Sequence, residues 1–188
     1  MEKNENKFEL DKTILNAHEK GINKILFQSN GNLISCSSDY SLKIWKLDNA
    51  NNYINIKTLK HEEEIYSFLI IEDKNLLISS GVGKDKTIFW NLETYEKICE
   101  INNVTSYTAN SMLRIKETII VIGEEDGKKL RFIDIDKKKI IKVIKNKFYN
   151  FGMMLLKEKG LFLVGGLMEL MFIKLLILKI TICKKWIK

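Results

Sequence analysis

Two histidines in this 188-residue chain are each followed by a serine and an aspartate that could support nucleophilic chemistry. His18 precedes Ser35 and Asp39, and His61 precedes Ser79 and Asp85. A serine hydroxyl beside an imidazole that a carboxylate orients is the constellation of acyl transfer. Two other stretches hint at ligands. Residues 123–127, GEEDG, gather three acids at one turn, but without the ligand spacing of a calcium loop. In SSGVGKDKT, Gly81 and Gly83 precede Lys84 without the GK[ST] ending or the following helix of a phosphate loop. Cys36, Cys99 and Cys183 are far apart and form no CxxC pair, which argues against a disulfide framework or zinc site and for a reducing compartment.

The elements that would position these residues repeat. The segments NLISCSSDYSLKIWKL (32–47), NLLISSGVGKDKTIFWNL (75–92) and TIIVIGEEDGKKLRFIDI (118–135) share one order: apolar run, polar turn, then a second run ending near an aromatic residue. Each reads as two strands joined by a tight turn. Trp45 and Trp90 stand 45 residues apart, and Phe132 lies 42 beyond, a spacing that fits a four-stranded blade. INKILF, IYSFLII and NSMLRI supply a strand ahead of each pair. YINIKTLK, YEKICEI and KIIKVIKN supply a more polar strand after it, and the lysines suit an exposed edge. The apolar runs are short and β-branched, and none before residue 160 sustains a helical period.

On these residues the chain resembles the WD-repeat β-propellers. The resemblance implies one hydrogen-bonded set per blade: a histidine before the first strand, a Ser or Thr in the second, an Asp in the next turn and a Trp in the third. In the first unit these are His18, Ser35, Asp39 and Trp45, and in the second His61, Ser79, Asp85 and Trp90. In the third, Asp126 and Gly127 hold the turn, Phe132 takes the Trp position, Ile122 takes the Ser position and no histidine precedes the blade. Lys46 and Asn91 follow the tryptophans in place of the Asp in the family's name. The repeat and its turn context make the His/Ser/Asp sets structural rather than catalytic.

The expected fold is therefore all-β: an incomplete β-propeller of four-stranded antiparallel blades with an atypical apolar C-terminal tail. Residues 1–166 form the partial propeller, with blades near 18–60, 61–102 and 103–147 and the start of a fourth at 148–166, and residues 167–188 are the tail. KFELDKTILNAH, residues 7–18, resembles the outer strand that completes the last blade of such a ring. Three units and part of a fourth fall short of a ring of about four to eight blades, so assembly with further blades or chains is expected.

By resemblance the function is that of a scaffold or adaptor for other proteins or peptides, with no catalytic, cofactor or metal site. Rim turns carry the expected contacts: Ser38, Tyr40, Lys84 and Glu125. The net charge of +7 could attract an acidic partner, but the lysines are dispersed in a Lys-, Ile- and Asn-rich chain without proline, so no nucleic-acid interface is expected. The polar start, MEKNENKFELDK, lacks a signal-peptide core, and an intracellular, cytoplasmic setting is expected.

Residues 161–183 have the length of a membrane span, which offers a second reading, a single-pass protein with a cytosolic β domain. Glu169, Lys174 and Lys179 oppose it, at about 2.5–3.5 kcal/mol for each central charge. As a blade, LFLVGG suits a second strand, but LMELMFIKLL follows without turn chemistry. With A/T-rich codons, dropping two bases at Leu167 gives Asn-Gly-Thr-Tyr-Val-Tyr-Lys-Ile, the missing turn and third strand. The tail then reads as out-of-frame blade sequence.

Overall fold

Alternating and fully apolar short runs build strands here. The computed structural model describes residues 11–83, 86–102, 104–106, 108, 111–124, 129–145, 152–156, 160–165, 170–175 and 180–183. The first sheet is β1 (Ile22–Phe27), β2 (Leu33–Ser37), β3 (Ser41–Leu47) and β4 (Tyr53–Lys60). The second is β5 (Ile65–Ile71), β6 (Leu76–Gly81), β7 (Lys86–Asn91) and β8 (Lys97–Asn102). The third is β9 (Met112–Lys116), β10 (Ile119–Gly123), β11 (Lys129–Asp134) and β12 (Lys139–Lys145). The fourth is β13 (Gly152–Leu156), β14 (Leu161–Gly165), β15 (Leu170–Leu175) and β16 (Ile180–Cys183). Each sheet is an antiparallel meander in chain order, and the structure is the all-β, four-stranded, incomplete propeller that the repeat predicts.

The sheets stack face to face through their inner strands. β5 packs against β1 and β9, and β13 against β9, so the first strands of successive sheets are neighbours. The period of two in a strand divides each sheet's side chains between two cores. Leu77, Ile88 and Trp90 join Ile34, Cys36, Leu42 and Ile44 of the first sheet. Leu76, Ile78 and Phe89, from the same two strands, join Ile120, Ile122 and Ile133 of the third. Val121, Leu130 and Phe132 in turn meet Val164 and Ile173 of the fourth. This double burial is why β6 reads LLISSG with every residue buried, while the outer β4 and β12 are mostly exposed.

The fourth sheet runs past residue 166, where propeller order was expected to stop. β15 pairs with β14 from Gly165↔Leu170 to Leu161↔Lys174, and β16 pairs with β15. Residues 166–169, where turn chemistry is missing, lie outside the described residues. An apolar run beside the open edge of β14 satisfies its backbone groups by pairing, with Ile173 buried against the third sheet. Residues 161–183 thus contribute strands, and among the described residues no helix is long and apolar enough to cross a membrane. Residues 11–18, expected as part of an outer strand, form no strand. Residues 7–10 lie outside the described residues.

One cation is held between sheets. Lys24 Nζ lies 3.5 Å from Ser67 Oγ and 5.8 Å from the centre of the Phe68 ring. Burial lowers its pKa from the ordinary 10.5. Lys24→Met is expected to stabilise the chain by about 1 kcal/mol at pH 7, since the ammonium is desolvated without a carboxylate partner among the described residues. The unfolded chain keeps this proton to higher pH, so the parent gains stability as pH rises toward 10.5 and the variant does not. Chemical denaturation at pH 7 and pH 10 checks both, and a clear loss of stability in Lys24→Met would refute the argument.

Candidate functional site

The turn between β2 and β3 is built on Asp39. Its Oδ1 accepts the Ser41 N–H at 3.0 Å and the Ser41 hydroxyl, while Ser37 Oγ accepts the Asp39 N–H at 3.0 Å. Such local bonds are why Asp and Ser favour turns. Asp39 Oδ2 accepts the Glu19 N–H at 3.0 Å and lies 2.8 Å from His18 Nδ1. His18 Nε2 is 2.7 Å from Ser35 Oγ, which accepts the Trp45 indole N–H at 2.8 Å. The directions follow from donor supply. Trp45 donates to Ser35, Ser35 donates to His18 Nε2, and His18 Nδ1–H donates to Asp39.

This order needs a neutral imidazole and an ionised carboxylate. Burial lowers the His18 pKa from 6.5, outweighing Asp39, which acts to raise it. Burial acts to raise the Asp39 carboxyl, but the bonds from Ser41, Glu19 and His18 together hold it well below the ordinary 3.8. Both shifts make the fold acid-sensitive. Below pH 6.5 unfolded His18 takes up a proton that the folded chain refuses, so stability falls with pH until the lowered folded pKa is reached. Below pH 3.8 Asp39 adds a second loss as pH falls toward its own folded value. Denaturant midpoints from pH 7 to 3 are expected to decline in these two stages. Asp39→Asn should flatten the lower stage, and a parent profile flat from pH 7 to 5 would contradict the His18 assignment.

The serine is not placed to attack a substrate. Ser35 is 2% exposed, and its oxygen is enclosed by the indole N–H and the imidazole. The second sheet repeats the set. His61 Nε2 is 2.7 Å from Ser79 Oγ, which accepts the Trp90 N–H at 2.8 Å, and Ser79 is fully buried. Asp85 lies outside the described residues, as does Asp126 of the third unit.

Phe132 is the correction. Leu33 faces Trp45 and Leu77 faces Trp90 across their strand pairs. In the third sheet Ile120, the counterpart of Leu33 and Leu77, faces Ile133, and Phe132 faces Val121. A one-residue slip turns a side chain to the opposite face, so Phe132 packs toward the fourth sheet while Ile133 fills the tryptophan's place against the second. The turns at the other end of the sheets agree. Asn91 Oδ1 accepts the N–H groups of Glu93 and Thr94, and Asp134 Oδ1 accepts those of Asp136 and Lys137. The residue after Ile133 thus does what the residue after Trp90 does. In place of the histidine network, Glu124 at the end of β10 accepts from Arg131 and pairs with Lys129 at 3.2 Å. The sequence reading missed this ion pair because Glu124 looked like one more acid in a solvated turn.

Comparison with known proteins decides the family. The model of the WD domain, G-beta repeat, matches residues 10–46, which include His18, Ser35, Asp39 and Trp45. The chain belongs to the WD-repeat family. Among curated WD-repeat relatives, the WD repeat-containing protein 89 homolog of Dictyostelium discoideum is 30% identical over 129 residues, covering 68% of this chain and 29% of that protein. The nuclear distribution protein nudF of Aspergillus flavus is 37% identical over 90 residues, 46% of this chain and 19% of its own length. The chain therefore spans a fifth to under a third of these relatives. A chain in the crystal structure of a mitotic checkpoint complex superposes with a TM-score of 0.74 at 13% identity, over 89% of this chain and 52% of that one.

In this WD-repeat chain the network holds a rim turn in place. Tyr40 adopts a left-handed conformation, with φ of 68°, and stands exposed with Lys20 Nζ 5.1 Å from its ring centre. Its carbonyl accepts the His61 N–H at 2.9 Å, tying the first WD-repeat turn to the start of the second. Ser38 accepts from Asn23 Nδ2 at 3.1 Å, and its N–H donates to the Gly21 carbonyl at 3.0 Å. Lys84 and Glu125 lie outside the described residues. The Cys36 thiol, pushed up to about 12 by burial, stays protonated and unreactive.

Proposed function

We propose that this WD-repeat chain is a scaffold that holds protein or peptide partners on the rim carrying Ser38 and Tyr40. The observation that carries the reading is the exposed Tyr40 on a turn fixed by Asp39, His18 and the His61 N–H. A rigid aromatic anchor suits protein contact, because little side-chain freedom is lost on binding. The matched solved chain is itself part of a complex. Lys84 and Glu125 are proposed as further partner contacts, and the dispersed lysines argue against a nucleic-acid partner. The free Cys36 and Cys99 suit a cytoplasmic, reducing setting. A photo-crosslinking residue at position 40 is expected to capture a small reproducible set of proteins in cells. The same residue at Ile56, exposed on the outer strand, is expected not to. An identical set from both positions, or none from position 40, would overturn the proposal.

A further inference from the structure

The turn between β1 and β2 carries the one asparagine of the sequence that glycine follows, Asn30–Gly31. Both residues are exposed. Gly31 has a φ of +86°, which glycine adopts without strain, and a Cβ built on it would meet nothing within 4 Å. Every other asparagine precedes a residue with a side chain, which crowds the backbone nitrogen that follows it.

This pair can react with water alone. The Gly31 backbone nitrogen attacks Asn30 Cγ, and the new C–N bond closes a five-membered succinimide. The carboxamide nitrogen leaves as ammonia, taking the proton of the attacking amide. Water then opens the ring at either carbonyl. One opening gives aspartate. The other gives isoaspartate, whose main chain runs through the former side-chain carbonyl and is one carbon longer. Water enters, ammonia leaves, and nothing is oxidised or reduced.

The folded turn restrains both reacting groups. The Gly31 N–H donates to the Gln28 carbonyl at 3.0 Å, and Asn30 Oδ1 accepts the Asn32 N–H at 2.9 Å. Ring closure waits for these bonds to open, and an exposed turn opens at little cost. The same turn is where the first sheet meets the second. The Gln28 N–H donates to the Asn32 carbonyl at 2.8 Å. Gln28 is buried, and its Oε1 accepts the Tyr95 hydroxyl at 3.0 Å. That hydroxyl accepts from Asn32 Nδ2 at 3.3 Å, and the Ser29 N–H donates to Glu72 Oε1. The matching turns of the second and third sheets have a sheet on either side and are exposed as well. Asp73 and Lys116, each three residues before the second strand of its sheet as Asn30 is, are both exposed. Exposure at this turn therefore does not depend on what adjoins the first sheet.

We propose that Asn30 is a modification site, converted spontaneously to isoaspartate, and that the conversion loosens the contact between the first and second sheets. The extra backbone carbon falls between Asn30 and Gly31, inside the loop closed by the Gln28–Asn32 bond. It lengthens the turn that Tyr95 and Glu72 hold. The new carboxylate also stands one residue from the amide that binds Glu72, and its charge opposes that bond.

Ageing of the 188-residue chain in mildly alkaline buffer tests this. Peptide mapping reads the loss of ammonia at each asparagine, and an isoaspartyl methyltransferase with its methyl donor counts the isoaspartate. Asn30 is expected to convert ahead of every other asparagine. Conversion should be about tenfold or more faster in urea, where two turn hydrogen bonds no longer restrain the reacting groups. Asn30→Gln alters an exposed side chain and would need a six-membered ring, so it should fold and lose the methylated product. In the converted chain, amide exchange should quicken at residues 28–32 and around Tyr95 while β10 and β11 keep their protection. An Asn30 that outlasts other asparagines, or converts equally fast in urea and in buffer, overturns the proposal. So does a methylated product that persists in Asn30→Gln, or a converted chain whose exchange at residues 28–32 matches that of fresh protein.

Discussion

Replacing Ser35 with alanine is expected to lower the unfolding free energy by about 3 kcal/mol. Its oxygen is the middle of a chain of bonds running from Trp45 through His18 to Asp39. Alanine leaves the indole N–H and the imidazole Nε2 without partners where water is excluded, and an orphaned buried group costs about 1–3 kcal/mol. The asymmetry supplies a control. In the Ser35→Ala, Trp45→Phe double variant one orphan is gone, so the double loss should fall short of the sum of the singles by about 1 kcal/mol or more. Ser79→Ala should behave like Ser35→Ala, since His61 and Trp90 stand at the same distances from its oxygen. Urea midpoints measure all of these. A Ser35→Ala variant within about 0.5 kcal/mol of the parent would show that the network does not hold the blade.

Phe132→Ala is expected to cost about 3–5 kcal/mol, as for other fully buried aromatic residues. Where the damage falls matters as much as its size. Phe132 lies with Val121 and Leu130 against Val164 and Ile173, so the loss should reach the fourth sheet first. Amide exchange is expected to quicken in β13 and β14 while β6 and β7 stay protected. Ile133→Ala should do the reverse, loosening the contact between the second and third sheets. Faster exchange in the second sheet after Phe132→Ala would return Phe132 to the tryptophan position and contradict the pairing of Ile120 with Ile133.

Much of this molecule was legible in its residues. Short β-branched runs, turn-forming Ser and Asp and a spacing near 43 residues specify four-stranded units, because strand period and turn chemistry are local properties. The first network was legible through the resemblance to WD-repeat propellers, onto whose pattern His18, Ser35, Asp39 and Trp45 map residue by residue, and the structure joins these four side chains. Sequence could not settle the third unit. Phe132 and Ile133 are adjacent and both apolar, so either could face the second sheet, and only the pairing of Ile120 with Ile133 decided it. Nor could it place β15, whose strand character comes from the open edge of β14 rather than from any turn signal of its own. Local geometry repeats with the sequence. Burial depends on what stands on the other side of each face, and that only the assembled sheets determine.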